Sequence, residues 1–281
     1  MKYAAHSLMW TPEFTEKDLG LFDKLKGMGF DGIEIHLNHP ETLPVEKIKG
    51  KMQDTGMKCT FTATLEKKHN FLSSDSKKRD QGINFLKELM DIVAELEGDV
   101  LGGVIYAAWG EFTGKMRTNE EWDYSKESLL NAAEYAGKKG VVLALEPVNR
   151  YETYFLNTAE DARKLVEDIN HPNVRIHLDT YHLNIEEESF YGSIKTAGEY
   201  LYHFHVCENN RGIPGTGHIP WEEVYKALKE INYNRWAIIE SFVPAIEEIA
   251  RMTAIWRNVA PSADAIAKEG LKFLKHVEVS V

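Results

Sequence analysis

The sequence has few cysteines and no long apolar run. Cys59 and Cys207 are its only cysteines among 281 residues, which excludes a disulfide framework or a cysteine-rich zinc site and is typical of a reducing cytoplasm. No stretch approaches the roughly 18 consecutive apolar residues that a membrane span requires. A strand pattern starts directly after Met1, which leaves no room for a signal peptide. We therefore expect a cytoplasmic protein with no membrane partner.

Positive charge is also scarce. The chain carries 33 Lys and Arg residues against 44 Asp and Glu residues, and its formal net charge is −11. Nucleic-acid binding depends on a basic surface that neutralises phosphates. The acidic balance therefore argues against a nucleic-acid partner.

The sequence does contain a regular alternation of strand and helix patterns. Short apolar runs such as Lys58–Thr62 alternate with segments such as Ser76–Leu96, in which apolar residues recur at three- and four-residue spacing. Eight such strands, with helices between most of them, predict an α/β fold of the (β/α)8 TIM barrel class, with residues 1–281 forming a single domain. The helix expected between Asp179 and His205 is the least marked, because Tyr191–Ser193 interrupts its pattern.

Four predicted strands end in side chains that can bind a metal ion. These are Glu146, Asp179, His205 and Glu240, about 26 to 35 residues apart, which is close to the length of one βαβ unit. An acidic residue after a strand, taken alone, is more often an N-cap for the next helix. The C-terminal strand ends of a barrel meet at one face, however, so the four side chains are predicted to converge. Three carboxylates and one imidazole suit Mn²⁺, Mg²⁺ or Co²⁺ better than structural zinc.

The motifs around these residues resemble those of the ketose 3-epimerases, which act on D-tagatose, D-allulose or L-ribulose and belong to the xylose-isomerase-like barrel superfamily. The resemblance spans nearly the whole chain. The matching segments are Glu146–Glu152, Leu178–His182, His203–His205, Asn210–Gly212, Ile239–Phe242 and Ile255–Arg257.

The resemblance implies an isomerase that epimerises C3 of a free ketose through a cis-enediolate. Glu146 and Glu240 would act as acid and base on opposite faces of C3. Together with Asp179 and His205 they would hold the ion, usually manganese in the family, with Co²⁺ or Mg²⁺ as alternatives. The family also suggests a homodimer or homotetramer.

The resemblance implies further residues that contact the substrate. Arg211 and His182 would stabilise the charge of the intermediate, Glu152 would bind the hydroxyl at the C1 end, and Trp109 would line the pocket. His6 stands where the better-known tagatose and allulose enzymes carry an aromatic residue, which leaves the sugar preference open. Each of these residues also has a purely structural alternative; for Glu152 it is a surface ion pair with Arg150.

Other functions are compatible with parts of the pattern. An aldose–ketose isomerase resembling hydroxypyruvate isomerase would share the metal but move a proton between C1 and C2. A phosphorylated substrate is a second alternative, because the glycine-containing loop Gly212–Gly217 follows strand seven. A DNA-repair endonuclease on the same fold would need a basic groove and a site richer in histidine, and a non-catalytic sugar-binding barrel would not need both glutamates.

Overall fold

The computed structural model describes residues 1–281, and a closed barrel of eight parallel strands lies at its centre. Each strand pairs with its neighbours in sequence, and β8 closes the barrel against β1. The predicted (β/α)8 barrel is thus confirmed. The strands are β1 (Lys2–His6), β2 (Gly32–His36), β3 (Lys58–Thr62), β4 (Val100–Gly103), β5 (Val142–Leu145), β6 (Val174–Asp179), β7 (Leu201–His205) and β8 (Trp236–Ile239).

Ten α-helices surround the barrel. The apolar faces of nine of them pack on the strands and form one continuous core with them, whereas Ile249 of the ninth helix belongs to a separate small cluster. None of the helices combines the length and the apolar character that crossing a membrane demands. The helices are α1 (Gly20–Met28), α2 (Val45–Thr55), α3 (Ser76–Glu95), α4 (Asn119–Lys139), α5 (Ala159–Ile169), α6 (Thr180–Glu186), α7 (Phe190–Ala197), α8 (Trp221–Glu230), α9 (Glu247–Thr253) and α10 (Ala263–Ser280).

Local sequence signals set most helix boundaries. The Thr118 hydroxyl accepts from the backbone N–H of Glu121, whose carboxylate accepts from the N–H of Thr118, and this reciprocal cap starts α4. Gly140 ends the same helix in the left-handed conformation, with φ of 70°. The Thr158 hydroxyl caps α5 by accepting from the backbone N–H of Asp161. The Thr15–Asp18 capping pattern, by contrast, opens a short 3-10 turn, and α1 begins only at Gly20.

Strand β4 is shorter than its apolar run predicts. The run from Val100 to Tyr106 indicates seven strand residues, but the strand ends at Gly103, which has φ of 107°. A Cβ atom at this position would lie 2.4 Å from the carbonyl oxygen of Ala63 on the neighbouring chain segment. Only glycine fits this approach, and the backbone turns there toward the loop that carries Trp109.

The segment between Asp179 and His205 contains two helices, where the sequence pattern marked one weak helix. Ser189 caps α7 by accepting from the N–H of Gly192. The residues Tyr191–Ser193, which interrupt the apolar pattern, therefore lie in the first turn of a new helix.

The interior of the barrel is polar below its C-terminal face. Four inward-pointing residues there have 0–1% exposed surface: Glu34, Thr60, His177 and His203. Gly102 faces two of the imidazoles, and a Cβ atom on it would lie 3.1 Å from Nδ1 of His177. The missing side chain thus leaves space for the histidine rings. This polar layer supports the functional site above it.

Candidate metal centre and active site

A cavity opens at the C-terminal end of the barrel. It encloses about 730 Å³, including the part open to solvent. Glu146, His205 and Glu240, at the ends of β5, β7 and β8, line it together with Arg211 from the loop after β7. This is the face where (β/α)8 barrels place their active sites.

The four strand-end residues of the predicted ligand set converge beneath this cavity. One ligand atom each of Glu146, Asp179 and His205 lies within 4.8 Å of the other two. Oε2 of Glu240 lies 3.5 Å from Nδ1 of His205. Two ligands of one divalent ion are roughly 3–4 Å apart, since each stands about 2.1–2.4 Å from the ion. The cluster therefore needs only small side-chain movements to hold an ion.

One ring nitrogen of His205 has no hydrogen-bond partner in this cluster. The Nδ1 atom is buried and makes no hydrogen bond, and it lies 3.9 Å from Oδ2 of Asp179. Buried polar atoms without a partner are rare, because burial removes their hydrogen bonds to water and no other hydrogen bond replaces them. A buried ring nitrogen that faces two carboxylates fits a ligand of a divalent cation, and the oxygen-rich donor set fits a hard or borderline ion.

Glu34 fixes the orientation of this imidazole from below. Its two carboxylate oxygens lie 2.6 Å from Nε2 of His203 and 2.6 Å from Nε2 of His205. Burial alone would raise the pKa of Glu34, but the two imidazoles hold this pKa well below its usual range. An ionised Glu34 accepts a hydrogen bond from the Nε2–H of His205 and directs Nδ1 toward the cavity, an arrangement common around metal-binding histidines.

Asp179 caps a helix and also faces the cluster of candidate ligands. Its Oδ1 atom caps α6 by accepting from the backbone N–H of Tyr181 at 2.7 Å. Its Oδ2 atom faces the cluster and accepts from Nη1 of Arg211 at 2.8 Å. One carboxylate can do both because its two oxygens offer about four lone-pair sites.

Arg211 supplies the positive charge of the site. Nη1 donates to Asp179 and, at 2.8 Å, to Oε2 of Glu240, and the guanidinium lies 4.0 Å from the ring centre of Tyr181. The backbone at Arg211 has φ of 61°, a conformation that costs energy for a non-glycine residue and is concentrated at functional sites. Its Nη1 atom also donates to Sγ of Cys207 at 2.9 Å.

The pKa values of the two glutamates of the site are shifted in opposite directions. Burial raises the pKa of Glu146 well above its usual value, and the nearby carboxylates Glu240 and Asp179 add to this effect. Burial acts in the same direction on Glu240, but Arg211 and His205 hold its pKa well below the usual value. Carboxyl groups whose environments separate their pKa values in this way can act as acid and base in one site.

A second group of polar residues lies on the β5–β6 side of the cavity. Oε2 of Glu152 accepts from Nε1 of Trp109 at 2.9 Å, and its Oε1 accepts from Nδ2 of Asn149 at 2.8 Å. The backbone N–H of Asn149 donates to Nδ1 of His182 at 3.1 Å. Nε2 of His182 thus carries the ring proton and lies 3.8 Å from Oε1 of Glu146.

The alternative of a Glu152 surface pair with Arg150 is wrong. Arg150 instead pairs with Glu186, which it contacts through Nε and Nη2 at 2.9 Å each. Glu152 lines the cavity together with Trp109 and His182.

His6 lies behind the cavity wall. Its side chain is 1% exposed and is absent from the lining, and its Nε2 atom lies 2.9 Å from Oγ1 of Thr62 and 3.6 Å from Oε1 of Glu240. The residues that do reach the cavity there are Thr62 and His36, which the motifs did not single out. Both stand at the C-terminal end of a strand, the same signal that marked the other site residues.

Comparison with known proteins identifies the family of the chain. The model of the xylose isomerase-like TIM barrel family matches residues 22–277 of the chain. The chain belongs to this family. This xylose isomerase-like barrel is 34% identical to a D-psicose 3-epimerase of Agrobacterium fabrum over 273 residues, which cover 95% of the chain and 94% of that enzyme. It is 32% identical to an L-ribulose 3-epimerase of a Methylomonas species, over 98% of the chain and 97% of that enzyme.

Solved structures give the same result for the fold. A D-allulose 3-epimerase from Methylomonas in complex with D-allulose superimposes with a TM-score of 0.94 at 31% identity, over 98% of this chain and 96% of the other. A D-psicose 3-epimerase from Clostridium cellulolyticum with D-tagatose superimposes with a TM-score of 0.91 at 31% identity, over 99% of both chains. The similarity thus extends over the whole barrel.

Proposed function

We propose that this protein is a metal-dependent ketose 3-epimerase that acts on free ketoses. One observation carries the proposal: Glu146 and Glu240 line one cavity from β5 and β8, flank the same imidazole–carboxylate cluster, and have oppositely shifted pKa values. The relatives named above, which are ketose 3-epimerases aligned over nearly the full chain, support the same reaction.

The proposed ion is Mn²⁺, with Co²⁺ or Mg²⁺ as alternatives, held by Glu146, Asp179, His205 and Glu240. When bound, such an ion supplies Lewis acidity that polarises a carbonyl and makes the neighbouring C–H bond more acidic. The proposal rests on the donor set and on the unpartnered Nδ1 atom of His205. Arg211 does not exclude the ion, because each carboxylate keeps lone pairs that the guanidinium does not use.

In the proposed reaction the two glutamates work on opposite faces of C3. One carboxylate removes the C3 proton, and the carboxylic acid on the other face delivers a proton, so the configuration at C3 is inverted. The cis-enediolate between these steps carries negative charge. Arg211 and the Nε2–H of His182 are the donors that can stabilise it, since both line the cavity near Glu146 and Glu240.

Glu152 is proposed to bind the hydroxyl at the C1 end of the sugar. Trp109 and Asn149 hold its carboxylate by hydrogen bonds at 2.9 and 2.8 Å. A carboxylate fixed from two sides loses little conformational entropy when a ligand binds to it. Trp109 also contributes an apolar surface to the same wall.

The charges of the cavity favour a free sugar over a sugar phosphate. Arg211 is the only Lys or Arg side chain that lines it, and Asp179 and Glu240 already engage that guanidinium. Phosphate sites in proteins typically use several charge-assisted donors. We further propose a cytoplasmic homodimer or homotetramer and a single barrel domain spanning residues 1–281, from the cysteine usage, the family resemblance and the continuous sheet.

Turnover in D₂O tests the reaction. The proton that one glutamate removes is not the proton that the other delivers, so a 3-epimerase places deuterium at C3 of the product. An aldose–ketose isomerase would instead label C1 or C2. The measurement is NMR of the product sugars from D-allulose, D-tagatose and L-ribulose; label at C1 or C2 with C3 unlabelled would overturn the proposal.

A further inference from the structure

A short chain of hydrogen-bonding groups crosses the ends of β1, β2 and β3 and ends at the cavity. It consists of His6, Thr62 and His36, and only the last two line the cavity. Nε2 of His6 lies 2.9 Å from Oγ1 of Thr62, and the same oxygen lies 3.5 Å from Nδ1 of His36. None of the roles proposed above uses Thr62 or His36.

The contacts of His6 determine which group donates in the hydrogen bonds of this series. The backbone N–H of Leu8 donates to Nδ1 of His6 at 3.2 Å, so this nitrogen must be the unprotonated one. The proton of a neutral His6 is then on Nε2, which donates to Oγ1 of Thr62. The hydroxyl hydrogen of Thr62 is consequently free to point to Nδ1 of His36.

His36 is neutral, and its side chain lines the cavity. Burial, with the nearby His6 as the next cause, lowers the pKa of His36 to about 3. The roles in the contact with Thr62 depend on the ring tautomer; with the Thr62 hydroxyl as the donor, the neutral imidazole carries its proton on Nε2. The only hydrogen bond of the His36 ring is the one with Thr62, so Nε2–H has no partner within the protein.

The position of His36 in the barrel tells which part of a sugar it faces. The eight strands follow one another in sequence order around the closed sheet, so β2 lies opposite β6. Glu152, which follows β5, holds the C1 end in the proposed function, and His182 lies after β6 on the same side of the cavity. His36 at the end of β2 therefore faces the far end of the sugar, beyond C3.

We propose that His36 is a specificity-determining residue that donates a hydrogen bond from Nε2 to a ketose hydroxyl beyond C3. This inference rests on the proposed function. His6 and Thr62 are positioning residues, because they act by fixing which nitrogen of His36 carries the proton. Leu8, Phe242 and Met252 line the same cavity with apolar side chains, and the other polar groups outside the proposed roles are the hydroxyls of Thr62, Thr64, Thr253 and Tyr181.

Deoxy sugars test the contact directly. The probes are a ketohexose substrate and its 4-, 5- and 6-deoxy derivatives, with the 1-deoxy derivative reporting on the opposite end. We expect one of the three distal deoxy sugars to lose roughly tenfold in kcat/KM with the wild-type enzyme, about the value of one hydrogen bond. In His36→Phe the ratio of kcat/KM for the parent sugar to kcat/KM for that deoxy sugar should fall to about one. The same ratio for the 1-deoxy sugar should stay as in the wild type.

A variant at Thr62 tests the same inference even where His36→Phe does not fold. Thr62→Val keeps the shape of the side chain but breaks the chain, so we expect it to weaken the distal discrimination. Thr60→Val is the matched control, because Thr60 lies two residues earlier on β3, is buried, and its Oγ1 makes no hydrogen bond. The control should leave both ratios unchanged.

Nitrogen NMR of ¹⁵N-histidine-labelled protein reads the protonation state without any turnover. At pH 7 the wild type should show His36 neutral with the proton on Nε2, and Thr62→Val should increase the Nδ1–H form. A charged His36, an Nδ1–H form in the wild type, or distal ratios that are the same in His36→Phe and wild type would overturn the inference. A wild-type enzyme that places no deuterium at C3 of any ketose would contradict the proposed function instead.

Discussion

Glu34 accepts a hydrogen bond from Nε2 of His205 at 2.6 Å, and this contact aims the other ring nitrogen at Asp179 and Glu240. The contact joins Glu34, in the middle of β2, to His205, at the end of β7, across 171 positions of the chain. It fixes the protonation pattern of the one imidazole in the proposed metal centre. An ionised Glu34 also raises the basicity of that ligand.

Replacing Glu34 by glutamine should weaken metal binding. Glutamine has nearly the same shape, but it removes the negative charge that both His203 and His205 contact. Loss of such a supporting carboxylate typically costs about 10–100-fold in metal affinity. Competition for Mn²⁺ against a chromophoric chelator measures the effect, and Glu97→Gln, an exposed partner of Lys58, is the control. Equal affinity in Glu34→Gln and wild type would show that Glu34 does not support the ion.

Removal of the ion should abolish activity and lower the melting temperature. Without a cation, Glu146, Asp179 and Glu240 share one buried cluster, and Arg211 is the one Lys or Arg side chain lining their cavity. We expect chelation to stop ketose turnover and Mn²⁺ or Co²⁺ to restore it better than Zn²⁺. Scanning calorimetry with and without the ion measures the stability change, since binding only to the folded state stabilises it. Full activity in a preparation verified to be metal-free would refute the metal assignment.

The fold and the convergence of the candidate metal ligands were largely predictable from the sequence. Apolar runs mark the strands, and Glu146, Asp179, His205 and Glu240 come directly after or at the end of four of them. The barrel topology then brings consecutive strand ends to one face, so no long-range information is needed. This explains why a one-dimensional pattern identifies a site built from distant residues.

Features that depend on contacts between strands or loops were not predictable in this way. The length of β4 is set by the approach of Gly103 to Ala63. The role of His6 depends on Thr62, which stands between its ring and the cavity. Helix α9 is short and starts without a side-chain cap, so it carries no strong local signal.

Glu208 should be important for the stability of the loop that carries Arg211. Its carboxylate is fully buried and accepts from the backbone N–H groups of Gly215 and Ile219 at 2.8 and 3.1 Å. It also accepts from the indole N–H of Trp221 at 3.1 Å. Glu208→Ala leaves these donors without their acceptor, and we expect it to lower the free energy of unfolding by roughly 3 kcal/mol.

Urea denaturation measures this change. Glu199→Ala is the matched control, because Glu199 is exposed and makes no side-chain contact to a donor; such a substitution should stay within about 0.5 kcal/mol of the wild type. If Glu208→Ala is as stable as the control, the loop is held by other contacts. If kcat falls by more than the fraction of folded protein does, the substitution also displaces Arg211 in the folded molecules.

Glu146→Gln and Glu240→Gln should separate the two faces of C3. Each variant lacks one of the two carboxyl groups that transfer protons, and positioned proton transfer is worth about 10²–10⁴-fold. We expect kcat for epimerisation to fall by at least this factor in each variant, because each residue is also a proposed metal ligand. The double variant should lose little more than the worse single variant, since the two groups act as a unit.

Deuterium exchange into recovered substrate gives this prediction its sharpest form. A variant that keeps one carboxylate can still remove and return the C3 proton on that one face. In D₂O we therefore expect Glu146→Gln to label one C3 epimer and Glu240→Gln to label the other, each without inversion. Metal content, measured on the same samples, distinguishes a lost proton carrier from a lost ion. If both variants exchange the same epimer while they retain the ion, the two glutamates do not serve opposite faces of C3.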